Sequence, residues 1–127
     1  EEPDFLVLYG DTNSTLAGAI AASKIHIPIV HIEAGLRSFN KSMPEEINRI
    51  MADHASTLLF SPTLTGIQNL MKEGFDKNNG APFSPDHPGA FHCGDVMYDN
   101  SLYFETIARE KSSILQQLDL ANHAFYL

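Results

Sequence analysis

Short apolar runs that each close on a small-residue loop and lead into helical spacing recur along this chain, and that alternation limits its fold more than any other feature. Phe5 to Tyr9 is an unbroken apolar run ended by Gly10, the pattern of a strand buried on both faces of a parallel sheet. Gly10-Asp11-Thr12 reads as its exit loop. From Asn13 to Ile25, Leu16, Ala17, Ile20 and Ala21 recur at helical spacing, and Gly18 among many alanines would let this helix lie close on the sheet. Ile29 to Ile32 predicts a second strand, with Glu33-Ala34-Gly35 as its exit loop. A second helix is expected over Pro44 to His54, with Ile47, Ile50, Met51 and His54 on its buried face. Ser42 and Glu45 stand in capping-box relation at its start, and Pro44 suits the first turn.

Thr57 to Phe60 predicts a third strand. Ser61-Pro62-Thr63 then opens a helix through Ile67, Leu70 and Met71, which Gly74 can cap. Asp76 to Ala90 holds three prolines, two glycines and two asparagines, the composition of a surface loop. Phe91-His92-Cys93 reads as a short strand, Asp95 as the cap of a long helix through Leu102, Ile107, Ile114 and Leu118, and Phe125 to Leu127 as the start of another strand. Strands alternating with helices imply an α/β fold, a parallel sheet with right-handed crossovers and flanking helices. In such sheets ligands gather outside the carboxyl ends of the strands, where the Gly10-Asp11-Thr12 and Glu33-Ala34-Gly35 loops would converge.

Composition narrows the partners. Sixteen acidic against eight basic residues give a formal net charge of -8, which repels nucleic acid and anionic membrane over most of the surface. No apolar stretch nears the roughly 20 residues needed to cross a bilayer. The single Cys93 cannot form an internal disulfide and no signal peptide is evident, so a cytoplasmic protein is expected. Both ends run into apolar sequence and look cut.

Asp11 and Glu33 should emerge at one edge of the sheet, and Glu45, at the first turn of its helix, could fold over the same edge. Crowded carboxylates repel, which makes a proton donor or acceptor available near neutrality. Each acid also has a simpler reading. Asp11 could cap the helix after the first strand, and Glu45 could complete the capping box with Ser42. Glu33 has no evident capping task. Arg37 and Arg49 could balance these charges or grip a substrate oxygen. His31 and His54 invite a metal reading with Asp11 and Glu33, but His31 lies inside a strand and His54 on the apolar helix face, where histidines bonded to backbone are commoner. No metal is expected.

Gly10-Asp11-Thr12-Asn13-Ser14-Thr15, His31-Ile32-Glu33-Ala34-Gly35-Leu36-Arg37, Pro44-Glu45-Glu46-Ile47-Asn48-Arg49 and Gly94-Asp95-Val96-Met97-Tyr98-Asp99, in that order and spacing, resemble the non-hydrolysing UDP-N-acetylglucosamine 2-epimerases. The main departure is the Asn78 to Gly89 insertion. The resemblance implies two Rossmann-like domains in the glycosyltransferase-B arrangement, with UDP-sugar bound in the cleft between them. This chain would supply part of the first domain (1–94), the connecting helix (95–120) and the start of the second domain (121–127). The first strands, with a family arginine, and the rest of the second domain, with a histidine and the uridine-diphosphate contacts, would be missing. The piece alone is therefore expected to be inactive.

The resemblance further implies epimerisation at C2 by elimination and re-addition of UDP, for cell-surface polysaccharide precursors, with Asp11, Glu33 and Glu45 as acid/base and cation-stabilising groups. Arg37, Arg49 and Thr12 would contact or orient substrate. No cofactor is implied, and a homodimer is expected. The alternatives are an epimerase for a UDP-diacetamido-uronic acid, a hydrolysing relative, a non-catalytic sugar-nucleotide-binding domain, and a metal-dependent hydrolase.

Overall fold

The computed structural model describes residues 3–76 and 80–120. Four parallel strands form one sheet in chain order: β1 (Leu6–Tyr9), β2 (Ile29–Ile32), β3 (Leu58–Ser61) and β4 (Gly89–His92). They alternate with α1 (Asn13–Lys24), α2 (Pro44–Ala55) and α3 (Leu64–Lys72), and α4 (Val96–Lys111) and α5 (Ile114–Gln117) follow. The expected α/β alternation is thus present, with boundaries shifted by a residue or two. The reading of Phe125 to Leu127 as a strand lies outside the described residues.

Register identifies the buried face of the sheet. Leu8 pairs with His31, and His31 with Leu59, so these three side chains point to one side. On that side Leu8 and Ile29 cluster with Ala19 and Ala22 of α1 and Ala52 of α2, while Leu59 and Ala90 cluster with Ile67 and Leu70 of α3. All three helices therefore lie on the same face, as right-handed crossovers between successive neighbouring strands require. Gly18 does what the sequence suggested: a Cβ there would stand 2.9 Å from a Leu8 methyl.

The opposite face overturns one expectation. Val7 is 59% and Tyr9 44% exposed, so β1 is buried on one face rather than two. Phe91 stacks on Phe60 on this outer face, ring centroids 5.5 Å apart, and Phe83 meets Phe91 edge-on at 5.6 Å. The described part of the Asn78 to Gly89 insertion thus lays an aromatic ring on the sheet.

The helices also correct the sequence reading in detail. In α1 the buried residues are Thr15, Ala19 and Ala22, with Ala17, Ile20 and Ala21 exposed, a face rotated by about one position. In α2 they are Glu46, Asn48, Ala52 and Asp53, whereas Met51 and His54 are exposed. Apolar periodicity pointed to the wrong side because α2 packs partly on polar partners, His31 and Arg37, through Asp53. The long helix expected from Asp95 to Leu118 is instead two, α4 and α5, separated at residues 112–113. The chain divides into two compact units, one through Asp95 and one from Val96. Among the described residues no helix is long and apolar enough to cross a membrane.

Candidate active site

The carboxyl ends of β1 and β2 bring two of the sequence-nominated acids together. Gly10 (φ +70°) turns the chain out of β1, and a Cβ there would lie 3.3 Å from Glu33 Oε2, so the Glu33 carboxylate rests against the residue preceding Asp11. Glu33 itself holds φ 72°, a left-handed conformation that costs a non-glycine residue about 1–2 kcal/mol. A glutamate kept in that conformation at a strand exit, where glycine would be unstrained, marks a side chain retained for another purpose.

The capping tasks that competed for these acids belong to other residues. Thr12 caps α1, its hydroxyl accepting from the Thr15 amide at 3.2 Å. Asp11 instead forms an ion pair with Arg49, whose Nη1 also donates to the Leu36 carbonyl at 3.4 Å. Asn48, one residue earlier on α2, donates to the Asp11 carbonyl and to Asn13 Oδ1, both at 2.9 Å. The N-cap of α2 is Met43, without a side-chain cap bond, so the Ser42–Glu45 capping box does not form. Pro44 occupies the first turn and has no N–H to satisfy. Glu45 is exposed about one turn before Arg49 on the same side of α2, about 6 Å along the axis from the residue that holds Asp11.

The loop from Leu36 to Met43 is fastened by Glu46. Its carboxylate accepts from the Ser38 amide at 2.8 Å, the Ser38 hydroxyl at 3.0 Å and the Phe39 amide at 3.0 Å, at only 2% exposure. Burial opposes ionisation, but these hydrogen bonds and the nearby Arg37 charge outweigh it and hold the carboxyl below the usual range. Glu73 is also lowered, first by its hydrogen bonds from Arg37 and then, against some desolvation, by the Arg37 and His54 charges. Depressed folded-state values mean stability that is fully present above the ordinary glutamate value of 4.5 and lost as pH falls through the folded values. Urea midpoints of the full-length protein should therefore drop more on acidification below 4.5 for the wild type than for Glu46→Gln or Glu73→Gln, and equal slopes would refute this.

Arg37, nominated for substrate, does not open on this rim. Its side chain is 1% exposed. Nε and Nη2 donate to Glu73 at 2.7 and 2.6 Å, Nη1 donates to the Leu36 carbonyl at 2.7 Å, and Nη2 also pairs with Asp53 Oδ2 at 2.7 Å. Burial alone would favour the neutral guanidine, but Glu73 and Asp53 more than compensate and strengthen its hold on the proton. His31 is buried, as its strand position suggested, while His54 is half exposed and reaches Glu73 at 3.4 Å. Among the described residues no three His, Cys, Asp or Glu side chains group as metal ligands.

Sequence reasoning missed Asp53, Glu73 and Tyr9. The hydroxyl of Tyr9 is pushed up first by lost hydration and then by the Glu33 and Asp95 carboxylates, which places both acids within its electrostatic reach. The available signal for Asp53 was its place on α2, seven residues after Glu46, where a polar stripe runs beside the apolar one.

Comparison with known proteins supplies the context for this rim. Residues 1–127 match the model of the family described as UDP-N-acetylglucosamine 2-epimerase. A UDP-N-acetylglucosamine 2-epimerase homolog of Methanococcus maripaludis is 46% identical over 100% of this chain and 33% of its own length. The UDP-2,3-diacetamido-2,3-dideoxy-D-glucuronate 2-epimerase of Pseudomonas aeruginosa is 50% identical over 92% of this chain and 31% of its own. The chain thus spans about a third of the length of these curated relatives. A crystal structure of Methanocaldococcus jannaschii UDP-GlcNAc 2-epimerase in complex with UDP-GlcNAc and UDP superposes with a TM-score of 0.75 at 43% identity, covering 93% of this chain and 30% of that one. With the family model matched along the whole chain, on a parallel sheet whose first two exit loops meet, the chain belongs to the UDP-N-acetylglucosamine 2-epimerase family.

Proposed function

We propose that the full-length protein carrying this chain interconverts UDP-N-acetylglucosamine and UDP-N-acetylmannosamine, with Asp11, Glu33 and Glu45 handling the C2 proton and the charge that develops on the sugar. The observation that carries this reading is the meeting of the Asp11 and Glu33 loops at one rim while Thr12 takes the capping task. The C2 hydrogen of the sugar is not acidic, so direct abstraction to a carbanion faces a large barrier. Elimination avoids it: the C1–O bond to UDP breaks, a carboxylate takes the C2 proton, and the C2–H electron pair forms the C1=C2 double bond of a 2-acetamidoglucal. Re-addition reverses these steps with the proton delivered to the other face of C2. Carboxylates suit both tasks, as proton carriers and as stabilisers of oxocarbenium-like charge.

Arg49 orients Asp11 in this scheme, and the exposed Thr12 lies beside it for a substrate contact. Arg37 acts from beneath the site through Asp53. The test is turnover of UDP-N-acetylglucosamine by the full-length protein in deuterated water. Product epimerised at C2 and carrying deuterium there is expected; epimerised product without label would defeat elimination. A second substrate is favoured by the 50% identity to the Pseudomonas protein. The same site would then act on a UDP-diacetamido-uronic acid, and parallel kcat/KM measurements on the two nucleotides decide between them.

A further inference from the structure

A buried polar seam separates the two apolar clusters on the helix-covered face of the sheet. At its centre Asp53 of α2 is fully buried, and each of its oxygens leads to a different site loop. Oδ1 bonds His31 Nδ1 at 2.7 Å, and His31 Nε2 lies 2.8 Å from the Gly10 carbonyl, directly before Asp11. Oδ2 accepts from the Gly35 amide at 3.0 Å, two residues after Glu33. Both nitrogens of the His31 ring are engaged, Nδ1 by Asp53 and Nε2 by the Gly10 carbonyl, so the ring bridges α2 to the exit loop of β1. The remaining charge on the seam comes from Arg37, against Asp53 Oδ2, and Glu73, against Arg37. From the other side Asn69 of α3 donates to the Gly35 carbonyl at 3.0 Å, so the exit loop of β2 is held by its amide and its carbonyl at once.

We propose that Asp53, acting through His31 and the Gly35 amide, is a positioning residue that sets the separation and aim of Asp11 and Glu33. It does not reach the rim itself. One buried carboxylate linked to both loops, directly at Gly35 and through His31 at Gly10, fixes them relative to a common point, whereas loops held only by their own strands would move independently. Misplacing acids by about 1 Å is enough to cost on the order of 100-fold in rate. The inference rests on the proposed epimerase reading for its kinetic readout, and its structural half stands apart from that reading.

The test uses the full-length protein with Asp53→Asn, whose amide keeps one acceptor oxygen and puts an N–H donor in place of the other, so it cannot accept from the His31 side and from the Gly35 and Arg37 side at once. Hydrogen exchange is expected to quicken at residues 10–12 and 33–35 together, with exchange in β3 unchanged. Unchanged exchange at either loop overturns the proposal even if the protein proves to be no epimerase, and absence of epimerisation in the wild type defeats only the functional reading. In turnover, kcat is expected to fall about 100-fold. In the Glu33→Gln background the same substitution should cost about tenfold or less, because acids that act as a unit are not additive. A full multiplicative loss would point to general damage and overturn the positioning role. Should Asp53→Asn fail to fold, His31→Gln decides alone: faster exchange confined to residues 10–12 with reduced kcat supports the proposal, and neither change overturns it.

Discussion

Glutamine in place of Glu33 is expected to lower kcat of the full-length protein by about 100- to 10,000-fold, the range carried by a group that moves a proton in the rate-limiting step. The variant keeps the size and hydrogen-bonding reach of the side chain and removes only its capacity to take and give the proton. A glycine variant separates chemistry from fold. Because Glu33 stands at φ 72°, Glu33→Gly relieves the left-handed strain and should leave the protein as stable as the wild type, or more so by about 1 kcal/mol, while abolishing turnover. Activity within about twofold of wild type in Glu33→Gln would favour the rival in which this family member only binds sugar nucleotide.

The largest effect on stability is expected at Gly35. It sits at φ +80°, and a Cβ there would overlap the Gly66 carbonyl and press on Leu70 at 2.9 Å. Backbone does not yield as a flexible side chain does, so Gly35→Ala combines left-handed strain of about 1–2 kcal/mol with overpacking of about 1–3 kcal/mol. A loss near 4 kcal/mol is a large share of the roughly 5–15 kcal/mol available to a domain. Gly80→Ala, with nothing within 4 Å of the added methyl, is the matched control and should be close to neutral. Denaturant midpoints of the two variants in the full-length protein measure the difference; near-equal values would mean that the close approach of α3 to the β2 exit loop is not rigid.

The order of strands and helices was legible because the strands are short, mostly apolar runs closed by a glycine or, after β3, by Pro62-Thr63, and period and punctuation do not depend on tertiary context. Which side of a helix or strand is buried was less legible. Ile47, Ile50, Met51 and His54 form the apolar stripe of α2, yet Glu46 and Asp53 are its buried charges, because Ser38, Phe39, His31 and Arg37 offer them partners that no local window contains. The strand β1 looked two-sided for the opposite reason: its apolar outer residues, Val7 and Tyr9, stay exposed in this chain.

Strand exits nominated Asp11 and Glu33, and the short motifs nominated Glu45 and Arg49; of these, Glu33 rests against Gly10 and Arg49 holds Asp11. Arg37 carried the same kind of motif signal as Arg49, but burial turns it to Asp53 and Glu73 rather than to the rim. Nothing in spacing distinguishes an arginine that faces substrate from one that neutralises a buried acid. That distinction arises only when helices from distant sequence close over it.

The most direct test of the account is a crystal structure of the full-length protein with a UDP-sugar or its elimination product bound. The expected result has the Asp11, Glu33 and Glu45 carboxylates surrounding C1 and C2 of the sugar, each within about 4 Å or one bridging water. A sugar ring seated on the outer face of the sheet, or anywhere that leaves Glu33 without a path to C2, would contradict it.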